Sequence, residues 1–199
     1  STLCKYILLP YLKDFIRQNP HISISISCQS TNETLKLLED HKIDIGLIGQ
    51  PDNLKNIHFD YLDEIEDIFV AAKDYLRNLK ARGVQKSQIL QSSTLMLLDK
   101  NNMTRQYIDD YLQEHQIIIK DSIDISDMDL LIEFARIGVG VACVIKSFVA
   151  EDLDNGSLVE IPLGFPIRKR QIGFAYKTTI HPSKSLAEFI HFYKTYQKH

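Results

Sequence analysis

The sequence predicts an open α/β fold arranged as two lobes that are joined by two chain crossovers. Three observations predict it. The apolar period switches repeatedly between two and about 3.6 residues, the alternation of strand and helix from which α/β sheets are built. The unit of strand, polar helix entrance, helix and strand runs from Ile22 to Gly49 and recurs from Thr94 to Ser126. The last segment reads as a helix able to return to the first lobe, so that the chain crosses near Phe69-Val70 and near Gly173-Phe174, and two crossovers make a hinge. The expected lobes are residues 1–69 with 174–199, and residues 70–173.

In chain order, Leu8, Leu9, Leu12, Phe15 and Ile16 recur at helical spacing, with Lys13, Asp14 and Arg17 opposite. Thr2 is a candidate N-cap, Pro10 fits an irregular or delayed first turn, and Asn19-Pro20 ends the helix. "HISISISC" alternates Ile22, Ile24 and Ile26 with small serines, the period of a strand. Thr31 to Glu39 reads as a helix with Thr34, Leu35, Leu37 and Leu38 inward, and Ile43 to Gly49 as a strand parallel to the first.

After a Pro/Asp/Asn loop from Gln50 to Asn56, "IHFDYLDEIEDIFVAAK" reads as two extended runs around acidic residues. A polar, helix-prone stretch follows to Gln91, then the buried strand Thr94 to Asp99 and a helix with Tyr107, Ile108, Tyr111 and Leu112 inward. "KDSIDIS" is a strand, Asp127 to Ile137 a helix, and "VACVI" a buried strand entered through Gly138-Val139-Gly140. A short helix, a turn at Asn155-Gly156, the strands "SLVEIPL" and "RQIGFAYKT", and a closing helix from Ser183 to Tyr196 complete the order.

Composition narrows the function. A formal charge of -3 over 199 residues, without a long basic run, argues against a nucleic-acid surface made by bulk charge. Arg168-Lys169-Arg170 reads as a solvated turn. No run of about 18 apolar residues is present to span a membrane. Cys4, Cys28 and Cys143 are widely spaced and odd in number, the pattern of reduced cytoplasmic thiols that act as small buried hydrophobes. GxSxG, HExxH, Walker and dinucleotide fingerprints are all missing, and the seven histidines are scattered, so no catalytic or metal-ligating centre is expected. The carboxylates Asp63, Glu64, Glu66 and Asp67 read as a solvated strand edge.

Binding is the chemistry that remains. Gln29 to Asn32 in the first lobe and Lys100 to Thr104 in the second stand at helix entrances beyond strand ends, where open α/β sheets bind ligands. Each entrance offers orphan N–H groups, a positive dipole end and short polar side chains, a setting for an anion or small polar solute. The plainer reading is that Ser30, Thr31 and Asn102 are N-caps worth about 1 kcal/mol each. Arg105 is open between a bond to a carboxylate and a solvated position.

Four stretches resemble the effector-binding domain of LysR-type transcriptional regulators. They are "LLPYLKDFIRQNPHISISI", "LKLLEDHKIDIGLIG", "RIGVGVACVIKSFVAEDLDNGSLVEIPL" and "SLAEFIHFYKTY", in the family's order across nearly the whole chain. Ile145 stands where the family has Pro at a structural turn. The resemblance implies a type 2 periplasmic-binding-protein-like fold of two Rossmann-like lobes, with a small-molecule effector between them and no cofactor. It places effector contacts at Thr2, Ser30, Thr31 and Thr104, with Asn102 and Gln50 beside them. "TLCKY" and Thr104-Arg105 are similar to members that sense a sulfur metabolite, an amino acid or an inorganic anion. The resemblance also implies a homodimer, a tetramer when full-length, and DNA contact only through an N-terminal winged helix-turn-helix missing here. A free solute receptor for a transporter shares the architecture and is the alternative.

Overall fold

Asp67–Ala72, with sequence DIFVAA, is buried along its whole length, which is the burial expected of a strand covered on both faces. In the computed structural model, which describes residues 3–51, 53–100, 102–178 and 182–196, this strand lies inside the larger of two sheets. The chain divides into two units, residues 1–63 with 171–199, and residues 64–170.

In the second unit the strands are β3 (Asp67–Ala72), β4 (Thr94–Leu98), β5 (Asp121–Ile125), β6 (Val141–Ile145) and β7 (Leu158–Glu160), ordered β5-β4-β6-β3-β7. β4 is parallel to β5 and β6, whereas β3 runs antiparallel to β6 and β7. Parallel neighbours need a crossover, and α5 (Met103–Glu114) supplies it between β4 and β5. Four of the five residues of β5 are exposed, and its aspartates blunt an edge that would otherwise invite pairing.

α6 (Met128–Arg136) starts where Asp127 Oδ1 accepts the N–H groups of Asp129 and Leu130, and it buries the stripe Met128, Leu131, Ile132 and Ala135. Gly138 then takes φ +80°, a left-handed turn that ends the helix. Gly140, just before β6, runs so close to β4 that a Cβ there would lie 2.4 Å from the Thr94 carbonyl oxygen. The expected tight helix-to-strand turn is what forms.

Two arginines brace this unit. Arg105 is buried and donates to Asp109 at 2.8 Å, to the Leu98 carbonyl at 2.9 Å and to Asp124 at 2.6 Å, tying α5 to β4 and β5. Of the two readings of Arg105 from sequence, the charge-assisted bond to a carboxylate is the one that forms, made inside the unit to Asp109 and Asp124. Arg136 grips Asp152 of α7 (Ala150–Asn155) through both carboxylate oxygens, at 2.9 and 2.7 Å.

In the first unit α1 (Leu9–Gln18) follows one π-helical turn, Cys4–Leu8, and Pro10 falls in its first turn, where no N–H is needed. The inner face is Ile7, Tyr11, Leu12 and Phe15, while Leu9 and Ile16, expected inward, are exposed. The π turn adds a residue and rotates the stripe. The closing helix α8 (Lys184–Thr195) joins this unit, with the Phe15 ring 5.0 Å from Phe189 and 5.3 Å from Phe192. α2 (Thr31–Glu39) buries Thr34 and Leu38 against β1 (Gly46–Gly49). The small sheet is ordered β1-β8-β2, with β2 at Ile57–Ile65 and β8 at Arg170–Lys177.

"HISISISC" forms no strand. Residues 22–29 carry no regular secondary structure and are exposed but for the half-buried Ile22, and β1 pairs antiparallel with β8, so the parallel crossover expected in the first lobe is not formed. Alternation supplies a face, but a strand also needs a ladder partner, and among the described residues this segment has none.

Two outcomes are expected. Gly140→Ala should lower unfolding stability by about 1–3 kcal/mol, measured by denaturant titration, because β4 backbone blocks the new methyl. Hydrogen bonds from Arg136, then from Ser157, hold the Asp152 carboxyl below its ordinary 3.8. A lowered folded pKa stabilises fully above 3.8, and that contribution disappears as pH falls through the folded value. Acid melts should therefore show a loss that Asp152→Asn abolishes.

Candidate functional site

At the entrance of α2 Ser30 adopts extended φ/ψ and closes a capping box. Its Oγ accepts the Glu33 N–H at 3.3 Å, while its own N–H and hydroxyl donate to Glu33 Oε2 at 3.1 and 2.9 Å. Those two bonds hold the exposed Glu33 carboxyl below its ordinary value. Ser30 is thus a cap in full, with its backbone donor already spoken for. The N–H groups of Thr31 and Asn32 are different, because among the described residues neither has a protein acceptor. Two adjacent orphan amides beside the half-buried Thr31 form a small donor cluster at the positive end of the helix dipole.

Gln50 follows β1, exposed, with its N–H donating to the Gln171 carbonyl at 2.8 Å. Thr2 lies outside the described residues, as does Asn101 of the second entrance. A cavity of about 490 Å³ opens in the first unit between the start of α1, residues 22–29 and residues 42–47. Gln29 and Thr34 line it, but Ser30, Thr31 and Gln50 do not.

At the entrance of α5 Asn102 is the N-cap, its Oδ1 accepting the Thr104 N–H at 2.9 Å. Thr104 is half-buried, and its Oγ1 accepts from Arg170 Nη2 at 3.2 Å. Arg170 is held by Asp67 in a bidentate pair, Nε to Oδ2 at 2.7 Å and Nη2 to Oδ1 at 2.8 Å. The guanidinium also faces the Tyr107 ring, 5.2 Å from its centroid. Tyr107 in turn donates to the Arg168 carbonyl at 2.8 Å.

Asp67 has no exposed side-chain surface and Arg170 retains 15%. Burial pushes the Asp67 carboxyl up, and the neighbouring guanidinium opposes that rise. The bidentate geometry is that of a carboxylate and a guanidinium, each completing the other's hydrogen bonds. Because Thr104 Oγ1 accepts from Arg170, its own proton is left to donate elsewhere. A hydroxyl so arranged is a donor for a ligand oxygen or an anion.

Both members of this pair correct the sequence reading. Asp67 is no solvated edge, and Arg170 is no solvated turn. The signal was present, since an acid at the head of a five-residue apolar run must find a partner. Its partner stands 103 residues away, beyond the reach of local pattern. The thiols also differ from expectation, as only Cys143 is buried, while Cys4 is half-buried and Cys28 exposed. No group of three or more potential metal ligands is found among the described residues, and no helix there is long and apolar enough to cross a membrane.

The family model described as "LysR substrate binding domain" matches residues 1–198. The chain is 22% identical over 191 residues to the uncharacterized HTH-type transcriptional regulator YeiE of Escherichia coli K12, covering 96% of this chain and 64% of that protein. It therefore spans about two-thirds or less of the length of the regulators it matches. Among solved structures, the apo regulatory domain of HypT from Salmonella typhimurium superposes with a TM-score of 0.77 at 17% identity, over 94% of this chain and 89% of that one. The regulatory domain of CcmR from Synechocystis PCC6803, in complex with 2-PG, gives 0.78 at 14% identity, over 96% and 90%. The fold is the type 2 periplasmic-binding-protein-like fold of these regulatory domains.

Asp67→Ala should destabilise the protein by about 3–5 kcal/mol, because it leaves the largely buried Arg170 charge unpaired. Denaturant unfolding of the variant against the parent checks this, and the double variant Asp67→Ala with Arg170→Met should recover part of the loss.

Proposed function

The chain belongs to the LysR substrate binding domain family, and from that premise we propose that it is the ligand-sensing regulatory domain of a LysR-type transcriptional regulator. Its effector is a small anionic or polar metabolite, with a sulfur metabolite, an amino acid and an inorganic anion as the classes to try. The observation that carries this reading is the Thr104 hydroxyl, anchored as acceptor by Arg170 and so left as a donor. The orphan amides of Thr31 and Asn32 supply donors of the same sense in the first unit. Both groups suit a ligand rich in acceptor oxygens, and CcmR's 2-phosphoglycolate is of that kind. Ser30, Asn102, Gln50 and Thr2 complete the proposed contacts, the first two chiefly by shaping the helix entrances.

The protein acts by binding rather than by turnover, in the cytoplasm, without a cofactor. An effector that prefers one conformer shifts the population by its differential affinity, and about 1–3 kcal/mol suffices for regulation. In the full-length protein an N-terminal winged helix-turn-helix would contact DNA. The domain would assemble as a homodimer, and the whole protein as a tetramer.

Thermal-shift screening of sulfate, phosphate, 2-phosphoglycolate, sulfur compounds and amino acids should find a stabilising ligand. Thr31→Ala and Thr104→Ala should each weaken it about fivefold by calorimetric titration, the loss of about 1 kcal/mol of hydrogen bonding, with melting unchanged in the unliganded protein. If both variants bind as well as the parent, the contacts lie elsewhere. Upstream coding sequence that specifies a secretion signal instead of a helix-turn-helix would replace this reading with the transport receptor.

A further inference from the structure

We propose that α3 (Lys73–Ala81) and the turn after it form a basic face that binds the phosphate backbone of double-stranded DNA, in addition to the contact made by a winged helix-turn-helix. Residues 73–86 hold five basic side chains, Lys73, Arg77, Lys80, Arg82 and Lys86, against one acid, Asp74, in a chain whose formal charge is -3. No two of the five are adjacent, so the sequence shows no basic run. The helix gathers them, because Lys73, Arg77 and Lys80 recur at i, i+4 and i+7 and so share one face over about 10 Å of axis. The opposite side of α3 carries the buried Leu79 and the half-buried Tyr75 and Leu76, while all five basic residues are exposed. Among the described residues, Arg77 alone of the five has an ion-pair partner, the exposed Asp74 one turn earlier. A pair so open to water contributes little and yields readily to a phosphate.

The fold finds structural uses for some of these cations without withdrawing them from water. The dipole of α3 favours Lys80 and Arg82 near its C-terminal end, and Lys73 Nζ lies beside Gly156 at the end of α7. Arg77 and Lys86 have no such role, and the whole set stays on the surface. What the face lacks selects its occupant. Interfaces between proteins are built around buried aromatic or aliphatic anchors, and no large hydrophobic residue from Lys73 to Gln88 is exposed. Contact with DNA phosphates needs no anchor of that kind, since Lys and Arg make it, the release of counterions drives it, and it reads no sequence. LysR regulators act on DNA, so this polyanion is the one such a protein meets. The inference leans on the regulator reading for that choice alone and goes beyond effector sensing.

The test is fluorescence anisotropy of a labelled DNA duplex of arbitrary sequence, titrated with the 199-residue chain from about 50 to about 200 mM salt. Four phosphate contacts should make log K fall against log salt with a slope of about -3 to -4. Lys80→Gln with Lys86→Gln, both exposed, should melt like the parent, weaken binding about tenfold at the lower salt and reduce the slope by about 2. Lys13→Gln with Lys55→Gln removes the same charge from exposed positions of the first unit and should leave the slope unchanged. No anisotropy change at the lower salt overturns the proposal, and so does an equal loss in the two double variants. Binding to vesicles of phosphatidylserine and phosphatidylcholine in place of the duplex overturns it as well. None of these outcomes bears on the effector, whose binding is screened separately.

Discussion

A charge at the head of an all-apolar strand has to be neutralised, and the pairing of Asp67 with Arg170 meets that demand in the second unit. Asp67 opens β3, the strand that lies between β6 and β7, and its carboxylate is fully withdrawn from water. Without the guanidinium, the cost of that burial would exceed what the apolar neighbours return. With it, the exit of the chain from this unit is fixed, since Arg170 is the last residue of the unit. The same guanidinium reaches Thr104 and stacks over Tyr107, so one ion pair also orients the entrance of α5. Structural neutralisation and the orientation of the Thr104 hydroxyl are one arrangement.

The two helix entrances show how capping leaves neighbouring donors free. Ser30 spends its side chain and its N–H on Glu33, and Asn102 spends its carbonyl on Thr104. Neither residue has much left for a ligand, yet each fixes the backbone so that its neighbours do. In α2 those neighbours are the amides of Thr31 and Asn32, and in α5 the hydroxyl of Thr104. A cap at these positions is the scaffold of the donor cluster. The first unit has its own half-buried polar centre at Asp60, which accepts from Tyr193, from His58 at 2.8 Å, from Lys194 at 3.1 Å and from Tyr176 at 3.3 Å. Burial raises that carboxyl, but these donors outweigh it and hold it below the ordinary carboxylate value. That cluster ties α8 to β2 and β8, which settles the unit to which the closing helix belongs.

The order of elements was legible because it is carried by local chemistry. Period alone marks α1, α2, β4, α5, α6, β6 and α8, and Pro10, Asn19-Pro20, Asp127 and Gly138 punctuate them for reasons that act within a turn of chain. The Ile/Ser alternation of residues 22–28 was misleading for the complementary reason. A period of two reports which side chains share a face, while a strand exists only when another backbone accepts its hydrogen bonds.

The sequence by itself determined the α/β class, the succession of helices and strands, the family resemblance and the positions of the two polar helix entrances. Each of those depends on residues within a few positions of one another. Tertiary structure alone decided that Asp67 faces Arg170, that Arg105 is internal, and that β1 pairs with β8. Those are contacts between distant segments, whose partners are selected by the packing of whole elements and the need to satisfy every buried polar group. Local pattern states that a buried charge requires a partner, and only the folded chain supplies which one.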